Sequence, residues 1–195
     1  MITGLMKKSE VHRNESDRRR TSTRLAQSTD ARAIAEINVR AWQKAYKGLL
    51  PDALLDKLSV DGAAKGWQAH IESGVIIWLL EFDGVVRGFA SIGKSLDKDA
   101  EQDVAELFTI YIEPEYVGMH LGSELIHAAL NDLRHSQFRQ CTVWFLAGND
   151  QAQAFYERIG FIKDNVEKHE MLNGIEMHQI RYRLQLEGLR LESLN

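Results

Sequence analysis

The sequence predicts an α/β (α+β) domain in which an antiparallel strand pair leads into a strand, a helix and a second, parallel strand. Three observations predict it. Val75 to Phe82 and Val85 to Ile92 are apolar runs separated by Asp83-Gly84, a strong hairpin turn. Asp103 to Ile112 is rich in β-branched and aromatic residues and stops just before Pro114. Leu121, Leu125, Ile126, Ala129, Leu130 and Leu133 then recur at helical spacing, and Gln140 to Leu146 reads as a strand again. A right-handed crossover through that helix makes the two flanking strands parallel.

The remaining elements follow in order. Residues 1 to 20 are polar, charged and aperiodic, and are expected to form a flexible tail ahead of one domain over 21 to 195. Thr21 to Gln27 alternates as a short strand. Ser28-Thr29-Asp30 supplies capping chemistry for a helix that runs to about Tyr46 and buries Ile34, Ile37 and Ala41. Pro51 opens a second helical piece through Leu58, and Ser59 caps a third carrying Ala63, Trp67, His70 and Ile71. After Gln140 to Leu146 comes a break at Ala147 to Asp150, then a helix from Gln151 to Ile159 ending at Gly160. Strand-like sequence runs from Phe161 to about Lys168, and Asn173-Gly174 separates it from a last strand, Ile175 to Leu186.

Composition narrows the function classes. A formal net charge of -4 gives no overall basic field, so nucleic acid is not an expected partner. The single cysteine, Cys141, excludes an intramolecular disulfide framework, leaves too few thiols for a cysteine-based zinc site, and sits in an apolar run as a small core residue. No metal is expected. No apolar run approaches the length of a membrane span and no secretory signal is evident, which leads to the expectation of a cytoplasmic protein. A homodimer is plausible, though no specific residue argues for it.

Two stretches carry chemistry. Between Ile112 and Ser123 the chain reads Glu-Pro-Glu-Tyr-Val117-Gly118-Met119-His120-Leu121-Gly122, a glycine-containing turn from strand into helix. The first N–H groups of that helix lack intrahelical acceptors and carry the positive end of the macrodipole, which suits a phosphate or pyrophosphate. The plainer alternative is that Gly118 and Gly122 only permit a tight connection. The second stretch, Val143 to Phe161, is a strand, a break holding Asn149, and a short helix with Ala152, Phe155 and Tyr156 before Gly160-Phe161.

On these two stretches, in this order and spacing, the sequence resembles the GNAT superfamily of acyl-CoA-dependent N-acetyltransferases. The likeness in element order spans about residues 22 to 186, and Ala41 to Asp52 looks like the substrate-side helices of bacterial members. The resemblance implies a mixed, mostly antiparallel, strongly twisted sheet flanked by helices, whose central parallel strand pair splays apart. It implies acetyl-CoA as acetyl donor, with the pantetheine arm in the split against backbone groups of Ile110, Tyr111 and Ile112. The pyrophosphate would rest on backbone N–H groups in the turn Val117, Gly118, Met119, His120, Leu121, Gly122 and Ser123, Asn149 would line the cofactor arm, and Tyr156 would stand near the thioester sulfur. An amine is the implied acceptor. The chain departs from the pattern at Val117, usually Arg or Gln, and at His120, usually Gly.

The chemistry needs a neutral amine, a polarised carbonyl and a proton for the departing thiolate. Tyr156 is the candidate proton or hydrogen-bond donor, or alternatively a ring packed on the sheet. Glu106, on the first parallel strand, is the candidate base through water, or alternatively a solvated edge residue. The position where some members place a glutamate on the second parallel strand holds Trp144, read as a wall of the substrate pocket. Trp42 and Tyr46 share a helix face and are its other wall candidates, with core packing as the alternative, preferred for Trp42 and left open for Tyr46. Acidic Glu101, Asp103 and Glu106 hint at a cationic acceptor. Two other readings are a CoA-binding regulatory or interaction module with weak catalysis, for which Val117 and His120 leave room, and a Rossmann-like or flavodoxin-like fold. The latter is disfavoured because the glycine turn follows a hairpin half-way along the chain rather than the first strand.

Overall fold

The computed structural model describes residues 21–188, so the expected tail at 1–20 lies outside the described residues, as do 189–195. The elements in chain order are β1 (Thr21–Leu25), α1 (Ala31–Ala45), α2 (Asp52–Leu55), α3 (Val60–Glu72), β2 (Ile76–Phe82), β3 (Val85–Lys94), β4 (Val104–Ile112), α4 (Leu121–His135), β5 (Gln140–Leu146), α5 (Asp150–Ile159), β6 (Ile162–Leu172) and β7 (Ile175–Gln185). They build one seven-stranded sheet in the order β1, β2, β3, β4, β5, β7, β6, antiparallel throughout except for the central pair β4 and β5. Among the described residues no helix is long and apolar enough to cross a membrane.

The periodic segments fold as their patterns dictate. β5 has the boundaries read from the sequence, and Ser59 caps α3 by accepting the Gly62 N–H at 3.3 Å. Two segments differ. The helix expected from Pro51 to Leu58 is a single turn, Asp52–Leu55, which places Leu54 and Leu55 in a small cluster with Leu50, Leu146 and Met177. The turn into α4 contains a 3-10 turn at Pro114–Tyr116. α4 and α5 cover one face of the sheet, with Leu125, Ile126, Ala129 and Tyr156 in the main core; α1 and α3 cover the other through Ile34, Ile37, Trp67 and Phe89.

The decisive feature is on β4. Its pairing with β3 passes from Thr109 opposite Ser91 to Leu107 opposite Ile92, which leaves Phe108 as the extra residue of a β-bulge. The bulge shifts the parity of the strand. Ala105 and Leu107 face α4 before it; Ile110 and Ile112 face α4 after it, while Tyr111 turns toward the α1 side. Pairing between β4 and β5 ends at the same place, running only from Val104 opposite Gln140 to Leu107 opposite Val143. Beyond it the two strands separate.

Two glycines make the bent strand fit. A Cβ on Gly88 would collide with Ile112 and come within 3.0 Å of the Tyr111 carbonyl oxygen, and one on Gly93 would lie 3.0 Å from the Phe108 ring. The sheet therefore stays closed on the β3 side of β4 and open on the β5 side.

Candidate active site

The opening between β4 and β5 is a cavity of about 630 Å³. That is within the usual range of roughly 300–1,000 Å³ for small-molecule sites. Its floor is β4 from Phe108 to Ile112, whose backbone groups on this side have lost their β5 partners. One wall is the end of β5 with Trp144 and Phe145, followed by Asn149 and the α5 residues Ala152, Phe155 and Tyr156. Val117, Gly118, His120, Gly122 and Ser123 form one end, and Ala41, Lys44, Ala45 and Tyr46 of α1 form the other wall.

At the α4 end the backbone is shaped for an anion. Gly118 has φ +89° and His120, the N-cap of α4, has φ +62°, a left-handed conformation that a β-carbon makes costly. The Ser123 and Glu124 N–H groups both donate to the His120 carbonyl, at 3.1 and 3.3 Å, which leaves the Leu121 and Gly122 N–H groups without an intrahelical acceptor. Gly122 also lets α4 approach α5, because a Cβ there would lie 3.2 Å from the Phe155 ring. Leu121 and Met119 belong to this turn but pack into the core rather than onto the cavity.

Asn149 caps α5 and lines the cavity at once. Its Oδ1 accepts the Ala152 N–H at 3.1 Å, and its amide nitrogen keeps two donors for the cavity. Tyr156 is 6% exposed, enclosed by the rings of Phe145, Phe155 and Phe161 at centroid distances of 5.2, 5.4 and 5.6 Å. Burial, reinforced by the Tyr46 phenol and the Cys141 thiol, pushes its hydroxyl far above the usual tyrosine range. The group therefore stays protonated at any working pH.

Opposite stand two more phenols. Tyr46 and Tyr111 share a hydrogen bond of 3.0 Å, and burial raises both above the usual value, Tyr111 the more strongly. Trp42 meets the Tyr46 ring edge-on at 5.0 Å but belongs to the α2 cluster and does not line the cavity. Trp144 does line the cavity, as a fixed wall: Asp97 accepts its indole N–H, and Lys168 lies 4.5 Å from the ring centroid.

Glu106 is placed differently from the other candidates. It precedes the bulge, opposite Thr142 on the closed part of the strand pair, and does not line the cavity. Its Oε2 accepts from Ser95 Oγ and the Leu96 N–H, both at 3.3 Å, and burial raises its carboxyl above the ordinary value. Outside the cavity, Arg40 fixes α1 to the end of β4 by donating Nε and Nη2 to the two oxygens of buried Glu113, at 2.7 and 2.6 Å. Lys44, Phe108, Gln151 and Arg158 also line the cavity and were not anticipated. On the sequence the two cations look like the solvated faces of amphipathic helices, and only the small residues Ala41 and Ala45 flanking Lys44 hint that this face is approached.

Comparison with known proteins agrees with this architecture. The family model described as Acetyltransferase (GNAT) family matches residues 32–161. An uncharacterized N-acetyltransferase of Escherichia coli, YjgM, is 29% identical over 132 residues, covering 67% of this chain and 73% of the relative. The L-amino acid N-acyltransferase MnaT of the same organism is 26% identical over 143 residues, covering 72% and 79%. Among solved structures, YncA of Salmonella typhimurium, described as a putative acetyltransferase and determined with its cofactor acetyl-CoA, superposes with a TM-score of 0.65 at 21% identity, covering 86% of this chain and 95% of that one. At that identity the last comparison establishes the fold alone.

Proposed function

The chain belongs to the GNAT acetyltransferase family, and from that premise we propose that it transfers the acetyl group of acetyl-CoA directly to a primary amine of a small molecule or peptide. The observation that carries the reading is the end of β4 and β5 pairing at Leu107 and Val143, which opens a cavity between unpaired strand edges and the start of α4. The residues present fit the donor. Backbone groups of Ile110 to Ile112 are available to the amides of a pantetheine arm, the Leu121 and Gly122 N–H groups to a pyrophosphate, and the Asn149 amide to the arm between them. Acetyl-CoA supplies an activated acyl group on a thiol leaving group.

Transfer forms a C–N bond as the C–S bond breaks, and the proton that the nitrogen loses is in balance the one that the sulfur gains. Tyr156 serves this step by hydrogen bonding to sulfur. Its hydroxyl is held far above an ordinary thiol near 8.5, so complete proton transfer from it is uphill, whereas a donated hydrogen bond stabilises the developing thiolate without reorganisation. Glu106 acts at one remove, as a proton acceptor through water, because it stands off the cavity. Its raised carboxyl is a better proton acceptor than an exposed glutamate.

The test is thiol release from acetyl-CoA with a panel of amines, L-amino acids included because MnaT is an L-amino acid N-acyltransferase by name. Turnover with at least one amine is expected. Tyr156→Phe should lower kcat about 100-fold with little change in CoA affinity. If CoA raises the melting temperature and no amine elicits thiol release, the protein is a CoA-binding module and the transferase reading is wrong.

A further inference from the structure

We infer that the acceptor is an amine that also bears a carboxylate, read by Lys44 and the Tyr46 hydroxyl; the inference rests on the acetyl-transfer reading and names its substrate class. Among the described residues no aspartate or glutamate lines the cavity. The acidic residues that suggested a cationic acceptor are all elsewhere. Glu101 does not reach the lining, Asp103 pairs with Arg139 at 3.8 Å, and Glu106 is held by Ser95 and Leu96 behind the bulge. Two carboxylates near the cavity are committed, Glu113 to Arg40, and Asp97 to Trp144 and Arg181, while Glu115 and Asp150 are exposed beside lining residues without lining the cavity themselves. A polyamine entering here would meet no counter-ion on the lining.

Cations show the opposite pattern. Lys44 and Arg158 line the cavity, are exposed, and make no ion pair or hydrogen bond among the described residues, so each is available to a ligand. They stand on different walls. Arg158 lies on α5, the helix whose Phe155 abuts the start of α4, and so belongs with the phosphate end. Lys44 lies on α1 two residues before Tyr46, on the wall facing Tyr156.

Hydrogen-bond direction agrees. The Tyr46 and Tyr111 hydroxyls are bonded to each other, and one proton between them satisfies that contact. With Tyr111 as the donor, the Tyr46 proton remains for an oxygen acceptor on the ligand. A carboxylate set between this hydroxyl and the Lys44 ammonium gains a charge-assisted hydrogen bond and a counter-ion in one place. A carboxamide gains from the hydroxyl only an ordinary hydrogen bond.

The experiment compares matched acceptors under acetyl-CoA saturation: amino acids, their carboxamides, and spermidine. Amino acids should exceed their carboxamides at least tenfold in kcat/KM, with spermidine poorest. Lys44→Gln should raise KM for the amino acid at least tenfold with a small change in kcat, so that the ratio of acid to amide falls toward one. Calorimetric binding of the N-acetylated amino acid and its carboxamide, with CoA present, should show the same preference and its loss in Lys44→Gln. Carboxamides or spermidine used as well as amino acids, or a preference that survives Lys44→Gln, would overturn the inference while leaving acetyl transfer standing. Absence of thiol release with every amine would instead remove the transferase reading beneath it.

Discussion

The two halves of the β4 and β5 pair are made from the same two strands and differ in every property that matters. Below Phe108 the strands are hydrogen-bonded, and Ala105, Leu107, Cys141 and Val143 are all but inaccessible. Above it the same strands border a solvent-connected cavity ringed by Ile110, Ile112, Trp144 and Phe145. In the lower half the main-chain amides satisfy one another, so side chains contribute stability. In the upper half the amides are unmatched, so on the proposed reading the backbone itself is the binding surface. Sequence composition hardly changes across the boundary; what changes is pairing.

Substitutions on either side should separate stability from binding. The largest effect is expected for Leu107→Ala, where truncating a fully buried side chain should cost about 2–5 kcal/mol in denaturant unfolding. Its CoA affinity should be unaltered under conditions where the protein is folded. In the upper half, Asn149→Ala removes the cap of α5 and should cost about 1 kcal/mol, but it should weaken CoA binding measurably by calorimetry. If both variants lose stability and affinity in the same proportion, the two halves are not functionally distinct.

Glu106 lies on the lower side of the boundary, and its effect should appear in pH dependence. Burial raises its folded-state carboxyl above the unfolded value, so the folded state holds the proton more tightly. The associated stability is present below the unfolded value, near 4.3, and is lost as pH rises through the folded one. Glu106→Gln should therefore raise the melting temperature at pH 7 to 8 and have little effect near pH 4. A stability gain that is equal at both pH values would mean that ionisation is not its cause. The smallest effect concerns His120. Replacing it with glycine relieves a left-handed backbone at φ +62° but frees the unfolded chain, so folding stability should move by less than about 1 kcal/mol.

Much of the upper half was legible in the sequence because it depends on backbone. The glycine turn, the helix that follows it and the strand pair were marked by Pro114, Gly118, Gly122 and the spacing of Leu125 to Leu133, and the splayed arrangement by resemblance. The bulge was not legible. Leu107 to Ile112 is apolar or β-branched at nearly every position, so the pattern tolerates either parity and gives no sign of the shift at Phe108. That omission is why Glu106 looked close to the site, when it stands off the cavity behind the bulge. The α1 wall of the cavity was least legible, since Lys44 resembles any exposed helical lysine until α1 is docked by Arg40 and Glu113.

The parity change at Phe108 also constrains what lengths of chain this family member can tolerate. Removing one residue between Phe108 and Ile112 would not merely shorten the strand. The chain could keep the residues beyond the deletion on their present sides only by closing the bulge, which would draw Phe108 into the regular ladder opposite Ser91 and straighten β4 where it parts from β5. Chain-length variation should therefore be far better tolerated in the connection between β3 and β4 than in the four residues after the bulge, a contrast that a scan of single-codon deletions would expose.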